Sequence, residues 1–99
     1  MSILHLVNKS PYDGSNLDTA TSIMKDGDTL LLIEDGVYGA IKNSKAAGLL
    51  EGRNNISVLG PDLAARGIGE DKLIDGVNVV DYNGFVDLVA DNDKVQSWL

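Results

Sequence analysis

Residues 27–38, Gly27-Asp28-Thr29-Leu30-Leu31-Leu32-Ile33-Glu34-Asp35-Gly36-Val37-Tyr38, hold the clearest buried-strand signal in the chain and the turn that follows it. Leu30 to Ile33 form a continuous apolar run between polar turns, as expected of a strand covered on both faces and central in its sheet. Glu34, Asp35 and Gly36 end the run and hand the chain to helically spaced residues. Two carboxylates therefore stand at the carboxyl end of a central strand, the edge of an open α/β sheet where ligands and partners bind. The alternative for Asp35 is to cap the next helix, accepting from an orphan backbone N–H and opposing the dipole.

The rest of the chain repeats this pattern. Ile3, Leu4, Leu6 and Val7 read as a first strand, closed by a loop through Ser10-Pro11 and Asp13-Gly14-Ser15. His5 lies inside it, either as a hydrogen-bonded structural imidazole or as a titrating group at an interface. Ser15 or Asn16 caps a first helix whose apolar face is Leu17, Ala20, Ile23 and Met24, with Gly27 as its stop. A second helix begins at Val37, Ala40 and Ile41 and weakens through Asn43, Ser44, Gly48 and Gly52. Ile56, Val58 and Leu59 make a third strand, and Pro61 opens a short helix closed by Gly67. Within it Arg66 follows Asp62 by four residues, which suits a solvent-facing ion pair or, alternatively, a partner-binding arginine.

A loop over residues 68–76 leads to a fourth strand at Val77, Val79 and Val80, ending at Asp81. Asn83 is a plausible cap for a last helix with Phe85, Leu88 and Val89 as its inward face. Val95, Trp98 and Leu99 then place a large apolar payload at a terminus, either packed back on the domain or docked on a neighbour. Alternating strands and helices predict a three-layer α/β/α single domain over residues 1–99 with a mostly parallel sheet.

Composition narrows the chemistry. A net charge of −7, from 15 acidic against 8 basic residues, excludes wrapping of nucleic acid and favours a basic partner. With no cysteine there is neither a disulfide nor a thiolate, and one histidine makes no metal cluster. The short apolar run at the N-terminus lacks the features of a signal peptide, and no stretch reaches the roughly 18 to 20 apolar residues of a membrane span. A cytoplasmic location is therefore expected. No dinucleotide fingerprint, P-loop or nucleophile elbow is present, and no cofactor is implied. Asp35 and Asp81 at strand ends leave one enzymatic alternative, a magnesium-dependent phosphoacceptor, against which the first strand's end at Val7-Asn8-Lys9 counts for lacking an acidic pair.

Four segments together, ILHLVNKSP (3–11), DTLLLIEDGVYGAI (28–41), VLGPDLAARGI (58–68) and VVDYNGFVDLVADNDKVQSWL (79–99), resemble the DsrH/TusB family of sulfur-relay subunits, in order and over nearly the whole length. The resemblance implies a small subunit that assembles with DsrE/TusD-like and DsrF/TusC-like partners into a heterohexamer. Such a complex passes persulfide sulfur to a DsrC/TusE-like acceptor, in sulfur oxidation through reverse dissimilatory sulfite reductase or in 2-thiolation of the tRNA wobble uridine. In DsrH-like members a cysteine can occupy the first-helix position that falls on Ala20 here, whereas TusB-like members can lack it. A methyl group carries no persulfide, so the resemblance implies a structural subunit, not an enzyme by itself. Glu34, Asp35, Arg66, Asp81, Trp98 and Leu99 are its candidate partner surface, and a homo-oligomer of the same fold is the remaining alternative. A tail docked on a neighbour further implies that truncation after Asp93 weakens assembly more than it unfolds the domain.

Overall fold

The computed structural model describes residues 1–98, so the part of the partner surface assigned to Leu99 lies outside the described residues. Five strands, β1 (Ile3–Val7), β2 (Thr29–Leu32), β3 (Ile56–Leu59), β4 (Asn78–Val80) and β5 (Lys94–Trp98), form one sheet in the order β4-β3-β2-β1-β5. Every pairing is parallel. The apolar run is indeed the middle strand, with Leu30, Leu31 and Leu32 all fully buried. Helices α1 (Asn16–Ile23), α2 (Gly60–Ala65) and α3 (Tyr82–Asp91) complete the three layers.

Strand order dictates which face each connection covers. From β1 to β4 the chain steps across the sheet in one direction, so right-handed crossovers put all three connections on one face. The connection from β4 to β5 runs back the other way, and the same handedness puts α3 on the opposite face. Alternation along the strands sorts the side chains accordingly. Val7, Leu30, Leu32, Ile56 and Val58 point to the first face and form the main core with Leu17 and Ala20 of α1, Val37, Ala40, Ala47, Leu50 and Leu63 of α2. Leu4, Leu31 and Leu59, also buried, point to the second face. One helix about 10 Å across cannot cover five strands spanning about 19 Å, and Leu6 and Val80 on that face stay half-buried.

Several local expectations are corrected. The second helix is absent: the segment folds as two 3₁₀ stretches, Glu34–Ala40 and Lys45–Leu49. Gly36, Gly39 and Gly48 favour no continuous α-helix, and Asn43 breaks it outright by adopting φ of 64°. In α1, Ile23 is exposed and Thr21 takes the buried place, its hydroxyl donating to the Leu17 carbonyl at 2.9 Å. The helix ends at Ile23, before Gly27, and Ser15 makes no side-chain cap bond. Asp81, not Asn83, caps α3 by accepting from the Gly84 N–H at 2.8 Å, and Val89 is exposed rather than inward.

The tail takes the first of its two readings and packs back on the domain, in a form the sequence does not announce: residues 94–98 are a fifth strand, paired with β1 along Ile3↔Lys94 to Val7↔Trp98. Its sequence, Lys-Val-Gln-Ser-Trp, carries no apolar run because it is an edge strand whose stability comes from ladder hydrogen bonds and one aromatic anchor. Trp98 packs against the main core.

Candidate functional site

At the carboxyl edge of the sheet, β2 passes into its turn through Ile33, whose N–H donates to the Val7 carbonyl at 3.0 Å. Glu34 follows with φ of 49°, a left-handed conformation that costs a non-glycine residue roughly 1–2 kcal/mol. Its backbone N–H donates to the Asp62 carboxylate of α2 at 2.6 Å, which holds the residue in that conformation. Gly36 then lies against the end of β1. A Cβ there would run into the Val7 carbonyl oxygen and stand 3.0 Å from the carbonyl carbon, so only glycine lets the turn close on the strand.

Asp35 does not cap a helix. Its Oδ1 accepts from Arg66 Nε at 2.9 Å, with Nη2 at the same distance, and Arg66 Nη1 donates to the Asp62 carbonyl at 3.1 Å. Arg66 therefore passes over the Asp62 carboxylate expected from the four-residue spacing and bridges to the turn after β2. Three of the sequence-derived surface residues, Glu34, Asp35 and Arg66, thus come together, and Asp62 joins them. The Glu-Asp-Gly turn and the Asp-Leu-Ala-Ala-Arg-Gly helix are one structural unit. Because Asp35 is exposed, its ion pair should contribute only about 0.2–1 kcal/mol and weaken with salt. A double-mutant cycle with Asp35→Asn and Arg66→Ala, read by urea denaturation at low and high salt, should give a coupling energy in that range. A salt-independent coupling several times larger would show that the pair is desolvated.

Asp81 stays apart, committed to capping α3. The phosphoacceptor alternative asks for strand-end carboxylates open to a cation, yet Asp35 carries a guanidinium and Asp81 a backbone N–H. Among the described residues no three His, Asp or Glu side chains gather as a metal site.

A second polar group lies inside the domain. His5 on β1 is buried, and Trp98 Nε1 donates to its Nδ1 at 3.1 Å. Indole nitrogen only donates, so Nδ1 must be the acceptor and the proton sits on Nε2. That N–H faces Asp28 Oδ2 at 3.0 Å. Asp28 also accepts from the Ile3 and Lys25 backbone N–H groups at 3.0 and 3.2 Å. Burial raises the Asp28 pKa, but the hydrogen bonds from His5, Lys25 and Ile3 outweigh it and bring it below the ordinary carboxylate value. His5 is thus the hydrogen-bonded structural imidazole of the two readings. Asp28 was invisible as its partner, because an aspartate beside Gly27 reads as turn until the register of β1 on β2 sets it against His5.

Trp98 sits in the described structure as the indole stacked on His5, ring centres 6.2 Å apart and planes at 25°, rather than as a free anchor for a neighbour. Ala20 is fully buried in the main core. A thiol at that position would point among Val7, Leu17 and their neighbours, away from solvent. Among the described residues no helix is long and apolar enough to cross a membrane.

The family model described as DsrH like protein matches residues 9–95. The chain is 35% identical over 97 residues to Protein TusB of Pectobacterium parmentieri, covering 97% of this chain and 100% of that one. Against Protein TusB of Buchnera aphidicola the identity is 32% over the same coverage. Among solved structures, the ychN protein from E. coli superposes with a TM-score of 0.78 at 20% identity, covering 98% of both chains. Protein Tm0979 from Thermotoga maritima gives 0.68 at 24% identity over 92% of this chain and 93% of that one. Both likenesses are of fold. With a family model matched from residue 9 to residue 95 and relatives 32–35% identical over 97% of its length, this chain belongs to the DsrH-like protein family.

Proposed function

We propose that this chain is a non-catalytic subunit of a sulfur-relay complex that serves 2-thiolation of the tRNA wobble uridine. The observation that carries the proposal is the end-to-end likeness to proteins named TusB, in a chain without a single cysteine. A relay subunit with no thiol leaves the persulfide to its partners, and the buried methyl of Ala20 is in keeping with that division of labour. The partners are a TusD-like subunit bearing the sulfur-carrying cysteine and a TusC-like subunit, assembled as a heterohexamer in the cytoplasm. The acceptor is a TusE-like protein. Glu34, Asp35 and Arg66 serve assembly by holding the carboxyl edge of the sheet in one shape.

Co-expression with the neighbouring genes, followed by pulldown, native mass spectrometry and persulfide labelling, tests this reading. The expected result is two partners of similar size, labile sulfur on a partner cysteine, and loss of 2-thiouridine from tRNA when this gene is deleted. Recovery of this chain alone as a stable homo-oligomer would overturn it. Retention of tRNA thiolation in the deletion strain, with loss of sulfur oxidation, would move the complex to the oxidative pathway.

A further inference from the structure

His5 and Trp98 are the single histidine and the single tryptophan of the chain, and the structure sets them in one hydrogen-bonded line with Asp28. The line runs in one direction only. The indole N–H needs the lone pair on Nδ1, which exists only while the imidazole is neutral. A protonated imidazole carries an N–H on both nitrogens. Its Nδ1–H would face the indole N–H, two donors with their nitrogens 3.1 Å apart and no acceptor between them. The other side is indifferent to the change, because Nε2–H donates to the Asp28 carboxylate in both protonation states.

The surroundings let the imidazolium form while the rest of the domain stays folded. Asp28 is the one charged group bonded to His5 among the described residues, and it makes of a buried cation a buried ion pair, far less costly than an uncompensated charge. Beside His5, β2 offers Leu30 and β5 offers Gln96, and α1 buries Leu17, Ala20 and Thr21. Asp18, Lys25, Asp26, Arg53 and Lys94 around them are exposed. β5 is able to yield locally, since it pairs on one side only and Lys94 to Ser97 are exposed. Trp98 is its anchor, and the Trp98 carbonyl accepts from the side-chain amide of Asn16 at the start of α1. Asn16 also lines a polar cavity with Asn8, Lys9 and Glu34 at the carboxyl edge of the sheet. β1 and β5 are the neighbours whose connections cover opposite faces, and the crevice at such a place is where open α/β domains take their ligands. We propose that the Trp98–His5–Asp28 line is a pH-sensitive latch: protonation of His5 keeps its bond to Asp28, expels the indole, and frees the carboxyl end of β5 and Asn16 beside that crevice. The latch stands independently of the subunit reading above.

Titration of the full chain from about pH 8 to about pH 4.5 tests it, a range that spans the ordinary titration of histidine. Asp28 stays ionised throughout, since its pKa lies below the ordinary value of 3.8. Imidazole ¹⁵N shifts follow the protonation of His5 and tryptophan fluorescence follows Trp98, each signal coming from one residue. The expected result is a shared midpoint at which the emission moves to the red. At the same midpoint the amides of residues 96–98 should lose protection from hydrogen exchange, while those of β2 and β3 keep theirs. Protonation of His5 with fluorescence and exchange unchanged would overturn the latch, as would an imidazole that stays neutral until the whole domain unfolds. His5→Gln, whose amide offers the indole an acceptor and Asp28 a donor at every pH, should abolish the red shift. A folded His5→Gln variant that keeps the shift would overturn His5 as the trigger, and if that variant does not fold, the wild-type titration decides alone. No readout involves a partner, so failure here leaves the subunit reading untouched.

Discussion

A chain ended after Asp93 is expected to lose its cooperative thermal transition near neutral pH, or to keep only a weak one. Deleting residues 94–98 strips β1 of its parallel neighbour and makes a strand with Leu4, His5 and Val7 fully buried into a sheet edge. Removing Trp98 takes away an aromatic that, half covered, contributes roughly 2–3 kcal/mol through apolar burial. His5 Nδ1 loses its donor, and leaving a buried polar atom unpaired costs about 1–3 kcal/mol more. The Asn16 side-chain amide loses the Trp98 carbonyl it donates to at 3.1 Å, which ties α1 to the tail. Against a total stability of about 5–15 kcal/mol for a domain of this size, these losses take most of the margin. Circular dichroism melts of the truncated and full chains measure it. Trp98→Phe, which keeps a ring but removes the donor, should cost only about 1–3 kcal/mol and fold normally. A truncated chain that melts within a few degrees of the full one would mean that β5 adds little energy. Only then would the docking-arm reading of the tail return.

Asp28→Ala should destabilise the domain by about 3–5 kcal/mol, because it leaves three donors without an acceptor in a buried place. The Ile3 and Lys25 N–H groups and the Nε2–H of His5 all point at this one carboxylate. In a domain of this size that loss lowers the melting temperature by roughly 15–30 °C. The pH dependence carries its own sign. Since the folded-state pKa of Asp28 lies below the ordinary value of 3.8, its contribution is fully present above about pH 4. It is lost as pH falls through the folded-state value, when the carboxylate is protonated. Stability of the wild type should therefore fall more steeply in acid than that of Asp28→Asn, which has no charge to lose. Urea titrations between pH 2 and 6 make the comparison. Parallel pH profiles for the two proteins would show that Asp28 is not ionised in the folded state.

How legible each element is along the chain depends on the strength of its local signal. β2 announces itself because a strand buried on both faces needs apolar side chains on both, and Leu30-Leu31-Leu32 has no other economical reading. β5 escapes notice for the converse reason: an edge strand solvated on much of its surface tolerates lysine, glutamine and serine, and its one anchor, Trp98, declares burial but not against what. The segment after Ile33 has helical spacing at Val37, Ala40 and Ile41, yet the glycines let it tighten into 3₁₀ turns. Gly36 is there for the Val7 carbonyl, a reason in another strand.

The candidate site divides the same way. That Glu34, Asp35 and Asp81 stand at strand ends follows from where the apolar runs stop. Which charge neutralises which does not. Arg66 is four residues from Asp62 along a helix, but α2 ends beside the turn after β2, and Asp35 there offers its oxygen at 2.9 Å. His5 can be named as buried, whereas its tautomer requires Trp98 and its partner requires Asp28, 93 and 23 residues away.

By itself, then, the sequence determined the α/β class, four of the five strands, the parallel arrangement, the absence of any thiol chemistry and the family, because hydrophobic periodicity, crossover length and collinear motifs are written locally along the chain. The tertiary structure alone decided the fifth strand, the Asp35–Arg66 bridge and the Trp98–His5–Asp28 chain. Each of these depends on strand register or on the direction in which a crossover runs, and such long-range geometry leaves no local mark among the residues that create it.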